Sequence, residues 1–171
     1  NAWRLWAMGL AYAASGQLDR ARATLSEVEK NVASTTATIE PLKIAVMELE
    51  ATIAARGGDR KKAYDLYRKA ADREAALLYT EPPPYPRPVV EGWANVALAI
   101  GDFATARHEY REALAREPES GRALLGLAAA LDGLGKTSEA RDARQRGAKA
   151  WAKADSDLPQ LQAVRASTQA S

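Results

Sequence analysis

The sequence predicts an all-α fold built from repeated helical hairpins. One sequence motif occurs four times, starting at Gly16, Gly58, Gly101 and Gly135. It consists of a glycine and a short polar stretch, followed by an amphipathic helix that contains alanine. A small residue stands five places after each glycine, namely Ala21, Ala63, Ala106 and Ala140. Alanine and leucine abound and there is a single Phe, a composition that favours helix. We therefore expect each glycine to turn the chain from one helix to the next.

The overall charge excludes some classes of partner. The 171 residues contain 24 Lys and Arg against 22 Asp and Glu, a formal net charge of +2. Basic side chains are interspersed with acidic ones, so no basic stripe points to nucleic acid. The absence of cysteine excludes disulfides and thiolate metal sites. No apolar run approaches the roughly 20 residues that span a bilayer. We expect neither a nucleic acid nor a membrane as partner.

The first hairpin shows the repeat most clearly. Residues 2–15 form an amphipathic pattern that ends at Gly16, and a second pattern runs from Leu18 to about Asn31. The apolar or small positions of the two helices are Leu5, Met8, Gly9, Tyr12, Ala21, Leu25 and Val28. This spacing resembles the tetratricopeptide repeat, a helix–turn–helix unit of 34 residues. The resemblance implies a right-handed α-solenoid of about four such hairpins with a C-terminal capping helix.

The repeat register divides the chain into four units over residues 2–155. We place them at about 2–35, 36–77, 87–120 and 121–155, followed by a polar tail at 156–171. The last two units keep the 34-residue spacing, whereas Ala21 and Ala63 stand 42 residues apart and Ala63 and Ala106 stand 43 apart. We expect Thr38 to cap the third helix. The fourth helix is expected to continue to about Tyr79.

A proline-rich crossing at 81–88, EPPPYPRP, interrupts the array. Five prolines in seven residues cannot be helical, so the segment should be extended and stiff. One interpretation is a rigid spacer. The other is a flap that places Tyr79, Glu81, Tyr85 and Arg87 over a groove.

Nothing in the sequence indicates catalysis. The single His108 faces away from the repeat core and has no partner at a metal-ligand spacing. No phosphate-binding loop appears. Glu48 and Glu50 are two residues apart, so they point to different faces of a helix and cannot form an acid pair. We predict no catalytic residue, metal or cofactor, and do not expect this chain alone to be an enzyme.

The candidate binding surface is the concave face, which the first helices line in a repeat of this kind. The register assigns to it Trp3, Trp6, Leu10, Glu48, Thr52, Arg56, Glu91, Asn95, Leu98, Arg122, Leu125 and Asp132. We predict a groove with Tyr85, Arg87, Glu91 and Asn95 on one side and with Arg56 and Arg122 opposite. The alternative is that these are solvated polar side chains. Only Asn95 matches the Lys/Asn/Arg set with which some relatives clamp a carboxylate, so that subfamily is excluded.

Trp3 and Trp6 on the opening helix allow two interpretations. They pack against a preceding repeat, or they are aromatic anchors for a ligand or partner. The chain opens at Asn1 in mid-helix, so we expect it to be a fragment or a processed form of a longer protein. An uncovered pair of indoles would then drive self-association through this N-terminal face.

The resemblance implies a scaffold module for protein–protein or peptide interaction within a larger bacterial protein. The order of a long helix, the proline-rich crossing and two regular repeats also resembles the C-terminal half of longer bacterial repeat proteins with histidine-rich helices upstream. The alternative function is therefore the C-terminal part of a ligand-binding or metal-dependent protein whose active residues lie in upstream repeats. A third is an oligomerisation module. The compartment, bacterial cytoplasm or periplasm, stays open.

Overall fold

The computed structural model describes residues 1–34, 40–78 and 80–155 of the chain. Thr38, Tyr79 and the tail at 156–171 lie outside the described residues. The described part contains eight α-helices and no strand, so the predicted all-α repeat fold is confirmed. The helices are α1 (Ala2–Ala14), α2 (Leu18–Ala33), α3 (Glu40–Arg56), α4 (Arg60–Ala75), α5 (Val89–Ala99), α6 (Phe103–Arg116), α7 (Gly121–Gly133) and α8 (Thr137–Ala150).

The chain divides into two compact units, Asn1–Val96 and Ala97–Ser171. In the first unit α1 packs against α2, α3 packs against α4, and α3 also contacts both helices of the first hairpin. In the second unit α7 packs against α6 and α8. Within each unit, neighbouring helices thus cover apolar faces that a single helix could not bury, as in other stacked helical repeats.

The four glycine turns share one backbone geometry. The φ angles are 77°, 92°, 78° and 70° at Gly16, Gly58, Gly101 and Gly135. In every turn the backbone N–H of the next residue donates a 2.9 Å hydrogen bond to the carbonyl five residues earlier. This bond belongs to the Schellman C-cap, which requires a left-handed residue and therefore favours glycine. The motif that recurs in the sequence therefore corresponds to the same C-terminal helix cap, formed four times.

The alanine that follows each turn lies in the core. The four alanines at 21, 63, 106 and 140 are each 0% exposed. In the second unit Tyr110 is 1% exposed, and a Cβ atom on Gly126 would stand 2.2 Å from its ring carbon Cζ. Small residues are therefore needed where neighbouring helices approach closely, because interiors are already close-packed.

The end of the fourth helix differs from the expectation. α4 ends at Ala75 and not near Tyr79, and the N–H of Leu77 bonds to the carbonyl of Glu74 in a tightened last turn. Beyond it, Leu77 and Leu78 line a cleft of about 160 Å³ with residues 83–85. The proline-rich chain turns back against the end of α4, so the helix has to stop earlier than its composition suggests.

Candidate interaction site

α3 carries a carboxylate into the interior of the first unit. This helix contacts α1, α2 and α4, and most of its side chains are buried. Glu48 in its middle is 0% exposed. Removing a carboxylate from water is costly unless an opposite charge and hydrogen bonds compensate it. The groups that compensate Glu48 define the site.

Both compensating donors come from residues 81–88, here called the proline segment. The hydroxyl of Tyr85 donates a 2.5 Å hydrogen bond to Oε2 of Glu48, and Nη2 of Arg87 donates one of 2.7 Å to Oε1. Tyr85 is 4% exposed, and the Arg87 side chain is 24% exposed. The two donors flank Pro86. The segment therefore engages both oxygens of one carboxylate with side chains two residues apart.

Two indoles of α1 complete the surroundings. Trp3 and Trp6 lie edge to face with ring centroids 5.6 Å apart, and the Tyr85 ring is 5.8 Å from the first and 6.1 Å from the second. Such arrangements are favourable for aromatic pairs. The guanidinium carbon of Arg87 lies 6.0 Å from the Trp6 ring centroid, the outer limit of a cation–π contact. Trp6 is 8% exposed, whereas Trp3 is 36% exposed.

Gly92 in α5 provides the space for this arrangement. A Cβ atom there would stand 2.1 Å from Oε1 of Glu48 and 3.0 Å from Nη1 of Arg87. Trp3, Trp6, Glu48 and Gly92 are hereafter called the Glu48 pocket. The backbone N–H of Val89 donates a 2.9 Å hydrogen bond to Oε2 of Glu74, which satisfies a free donor at the start of α5.

A second layer of polar and aromatic groups supports α3. The hydroxyl of Thr52 lies 2.8 Å from both the backbone carbonyl of Glu48 and the hydroxyl of Tyr67. Tyr67 stacks on Trp93 with ring centroids 5.7 Å apart and an interplanar angle of 4°. The side chains around Glu48 are therefore held in place by packing on both sides of α3.

The protonation of Glu48 reflects opposing effects. Burial raises the pKa of Glu48 above its ordinary value, while the charge of Arg87 and the hydrogen bond from Tyr85 lower it. Trp6 also acts to lower this pKa, although its Nε1 makes no hydrogen bond of normal geometry. Burial and the nearby Glu48 charge raise the pKa of the Tyr85 hydroxyl. Tyr85 therefore stays a neutral donor, which suits it to bind the carboxylate.

Comparison with models of known protein families assigns the chain to a family. Residues 5–34 and residues 92–155 each match a tetratricopeptide repeat model. The chain is a tetratricopeptide repeat protein. The first match covers most of α1 and α2, and the second runs from Gly92 through α8. No curated protein matches the chain significantly.

The repeat protein brings together four of the eight residues predicted for the site. Trp3, Trp6, Tyr85 and Arg87 meet around Glu48. Tyr85 was expected as a side chain presented over a groove, and that expectation is wrong because its ring is buried and its hydroxyl is bound to Glu48. Trp6 is likewise covered by this chain's own Tyr85, which neither sequence interpretation anticipated.

The other four predicted residues differ in their exposure. In the first unit Glu91 is 3% exposed, Asn95 is exposed and Arg56 is half-buried. The Nε atom of Arg56 is buried without a hydrogen-bond partner. Arg122 is exposed and belongs to the second unit. Glu91 and Asn95 were expected to present one common face to a ligand, which the burial of Glu91 contradicts.

The central residue, Glu48, was missed as a site. It entered the sequence analysis as one inner-facing position of α3 and as the rejected acid-pair partner of Glu50. Trp6, Glu48 and Glu91 each precede the buried alanine of their own hairpin by 15 residues. This shared register position is the signal that could have placed Glu48 beside Trp6.

Tetratricopeptide repeats generally mediate protein–protein interactions and bind proteins or peptides. Among the residues that the structure describes, no helix is long and apolar enough to cross a membrane. In that same part of the chain no three His, Cys, Asp or Glu side chains are grouped so that they could hold a metal ion.

Proposed function

We propose that this chain is a protein–protein or peptide interaction module that acts as a scaffold. The observation that carries the proposal is the pair of tetratricopeptide repeat matches at residues 5–34 and 92–155. The bacterial scaffold role within a larger protein follows from the resemblance to longer bacterial repeat proteins.

The proposed contact surface is the face of the first helices. In the first unit, Trp3 is 36% exposed and Asn95 is exposed on α5. In the second unit, Arg122 is exposed on α7. Aromatic and arginine side chains are enriched among the residues that dominate binding energy, which makes Trp3 and Arg122 the anchors to test first.

The experiment compares two charge reversals in the second unit during capture of partner proteins. Arg122→Glu changes a first helix, and Arg141→Glu makes the same change at an exposed position of α8, a second helix. Partners retained by the wild-type chain should be lost with Arg122→Glu and kept with Arg141→Glu, while circular dichroism stays unchanged for both.

A partner that is lost only with Arg141→Glu would place the contact on the second helices and contradict the proposed surface. The matching change in the first unit, Trp3→Ser, should likewise reduce capture. If no protein or peptide is retained specifically by the wild-type chain, the proposed function fails.

A further inference from the structure

We propose that the Glu48 pocket is a recognition site for a Tyr-Pro-Arg peptide, which this chain's own proline segment occupies. A partner segment of the same chemistry would bind by replacing residues 85–87. The inference rests on the proposed function, because it names the class of peptide that such a module would take.

Two side chains anchor the proline segment in the Glu48 pocket. Glu81, Pro82, Pro83 and Pro86 are exposed, and Tyr85 is the buried side chain within residues 81–88. Its hydroxyl and the Arg87 guanidinium contact the two oxygens of Glu48. A short segment without regular secondary structure, with two anchors and exposed flanks, has the form of a peptide bound in a groove.

The chemistry of the pocket specifies the ligand. A fully buried carboxylate requires a cation and hydrogen-bond donors, and an arginine with a tyrosine hydroxyl supplies both. The two indoles, themselves in contact, both pack against the tyrosine ring, and the guanidinium lies near the Trp6 ring. Proline on either side restricts the conformations of the free peptide, which reduces the entropy lost on docking. A peptide with an acidic residue in place of arginine would meet Glu48 with like charge.

The location agrees with the proposed binding face. Trp6 and Glu48 occupy the same register position on two first helices, α1 and α3, and the proline segment lies against both. The proline segment therefore covers the face on which a repeat module is expected to hold its partner.

Covalent attachment gives the resident segment an advantage over a free peptide. A tethered ligand acts at an effective concentration of about millimolar order, so a competing peptide binds the wild-type chain weakly. Disabling the resident anchors should therefore raise the apparent affinity for an added peptide.

The test uses the heptapeptide PPPYPRP, a copy of residues 82–88, with PPPYPEP as its charge-reversed control. The protein variant is Tyr85→Ala with Arg87→Ala, which leaves Trp3, Trp6 and Glu48 in place. Binding is measured by fluorescence anisotropy of labelled peptide. We expect saturable binding of PPPYPRP to the variant at least about tenfold tighter than to the wild type, and none for PPPYPEP.

Because the variant lacks the two donors to the buried Glu48 and is expected to be less stable, the wild-type chain is titrated as well. The backbone amide resonances of Tyr85 and Arg87 and the indole N–H resonance of Trp151 are followed by NMR as PPPYPRP is added to millimolar concentration. Those of Tyr85 and Arg87 should shift as the resident segment is displaced, whereas that of Trp151, in the second unit, should not.

The inference is overturned if neither protein binds PPPYPRP, or if the two peptides bind equally well. Either result can occur while a partner is still captured in an Arg122-dependent manner, in which case the proposed function stands without this ligand class. Loss of Arg122-dependent capture with intact peptide binding would instead remove the proposed contact surface alone.

Discussion

Arg87 follows Glu48 by 39 residues and donates a 2.7 Å hydrogen bond to its fully buried carboxylate. Removing Arg87 leaves that charge in the interior with one donor fewer. Arg87→Met should therefore lower the free energy of unfolding by about 3 kcal/mol, measured by urea denaturation. Arg68→Met is the matched control, since Arg68 is 62% exposed in its pair with Asp65 and the change should cost under about 0.5 kcal/mol. Equal effects in the two variants would show that the Glu48 pair does not stabilise the fold.

The raised pKa of Glu48 predicts the direction of a pH effect. The native state binds this proton more tightly than the unfolded chain, because burial raises the native pKa above the ordinary 4.5. The contribution of Glu48 to stability is therefore largest below pH 4.5 and is lost as the pH rises through the native pKa. Glu48→Gln does not titrate and isolates this group from the other carboxyls. The unfolding free energy of the wild type minus that of the variant should fall as pH rises. A difference that grows with pH would contradict a raised pKa of Glu48 in the native state.

Ala106 tests the packing of the second unit. It is 0% exposed, so Ala106→Leu must force three extra carbon atoms into a filled interior and should cost about 1–3 kcal/mol. Ala104→Leu makes the same change two residues earlier at an exposed position and should stay within about 0.5 kcal/mol of the wild type. Thermal melts of both variants provide the measurement, and an unchanged melt for Ala106→Leu would mean that the helices are paired incorrectly.

Gly101 tests the turn geometry separately from packing. Its φ is 78°, and a Cβ atom added there would meet no atom within 4 Å. The cost of Gly101→Ala is therefore conformational, about 1 kcal/mol, whereas Gly101→Asn should cost less because asparagine tolerates the left-handed region. Denaturant unfolding of the two variants distinguishes them. If both cost the same, side-chain conformation at this turn does not limit stability.

Self-association through the N-terminal face stays a prediction, and it now depends on Trp3 alone. Because Trp6 is covered, Trp3 at 36% exposure is the indole left to contact a second copy. Concentration-dependent sedimentation should show association of the wild type and a monomer for Trp3→Ser. Leu134→Ser is the control, since Leu134 is 37% exposed in the second unit and should not affect association. A wild-type chain that stays monomeric at high concentration would contradict the prediction.

The hairpins could be predicted because their determinants are local in sequence. A left-handed glycine, a capping residue and a buried alanine all lie within one or two turns of each helix end, as in the segment from Gly101 to Ala106. Helical periodicity then identifies the face that each helix buries.

The Glu48 pocket could be predicted only in part, because its contacts join residues 37 and 39 positions apart. The composition of residues 81–88 indicates a stiff chain but not the direction in which it turns. Tyr85 was consequently assigned to the surface, with the expectation that Tyr85 and Arg87 could be replaced at little cost to stability. Its 4% exposure and the ion pair of Arg87 remove the basis for that expectation.

The source of the groups around Glu48 also limits how the protein can be recombined. A designer who transplants α3 and α4 into another helical array, as an interchangeable cassette, would carry Glu48 without the residues that neutralise it. Those residues lie downstream of the cassette, at Tyr85 and Arg87, and the indoles lie upstream, in α1. A chimaera that preserves a neutral interior must therefore inherit the chain from Trp3 through Gly92 as one block, or replace Glu48 by an apolar residue.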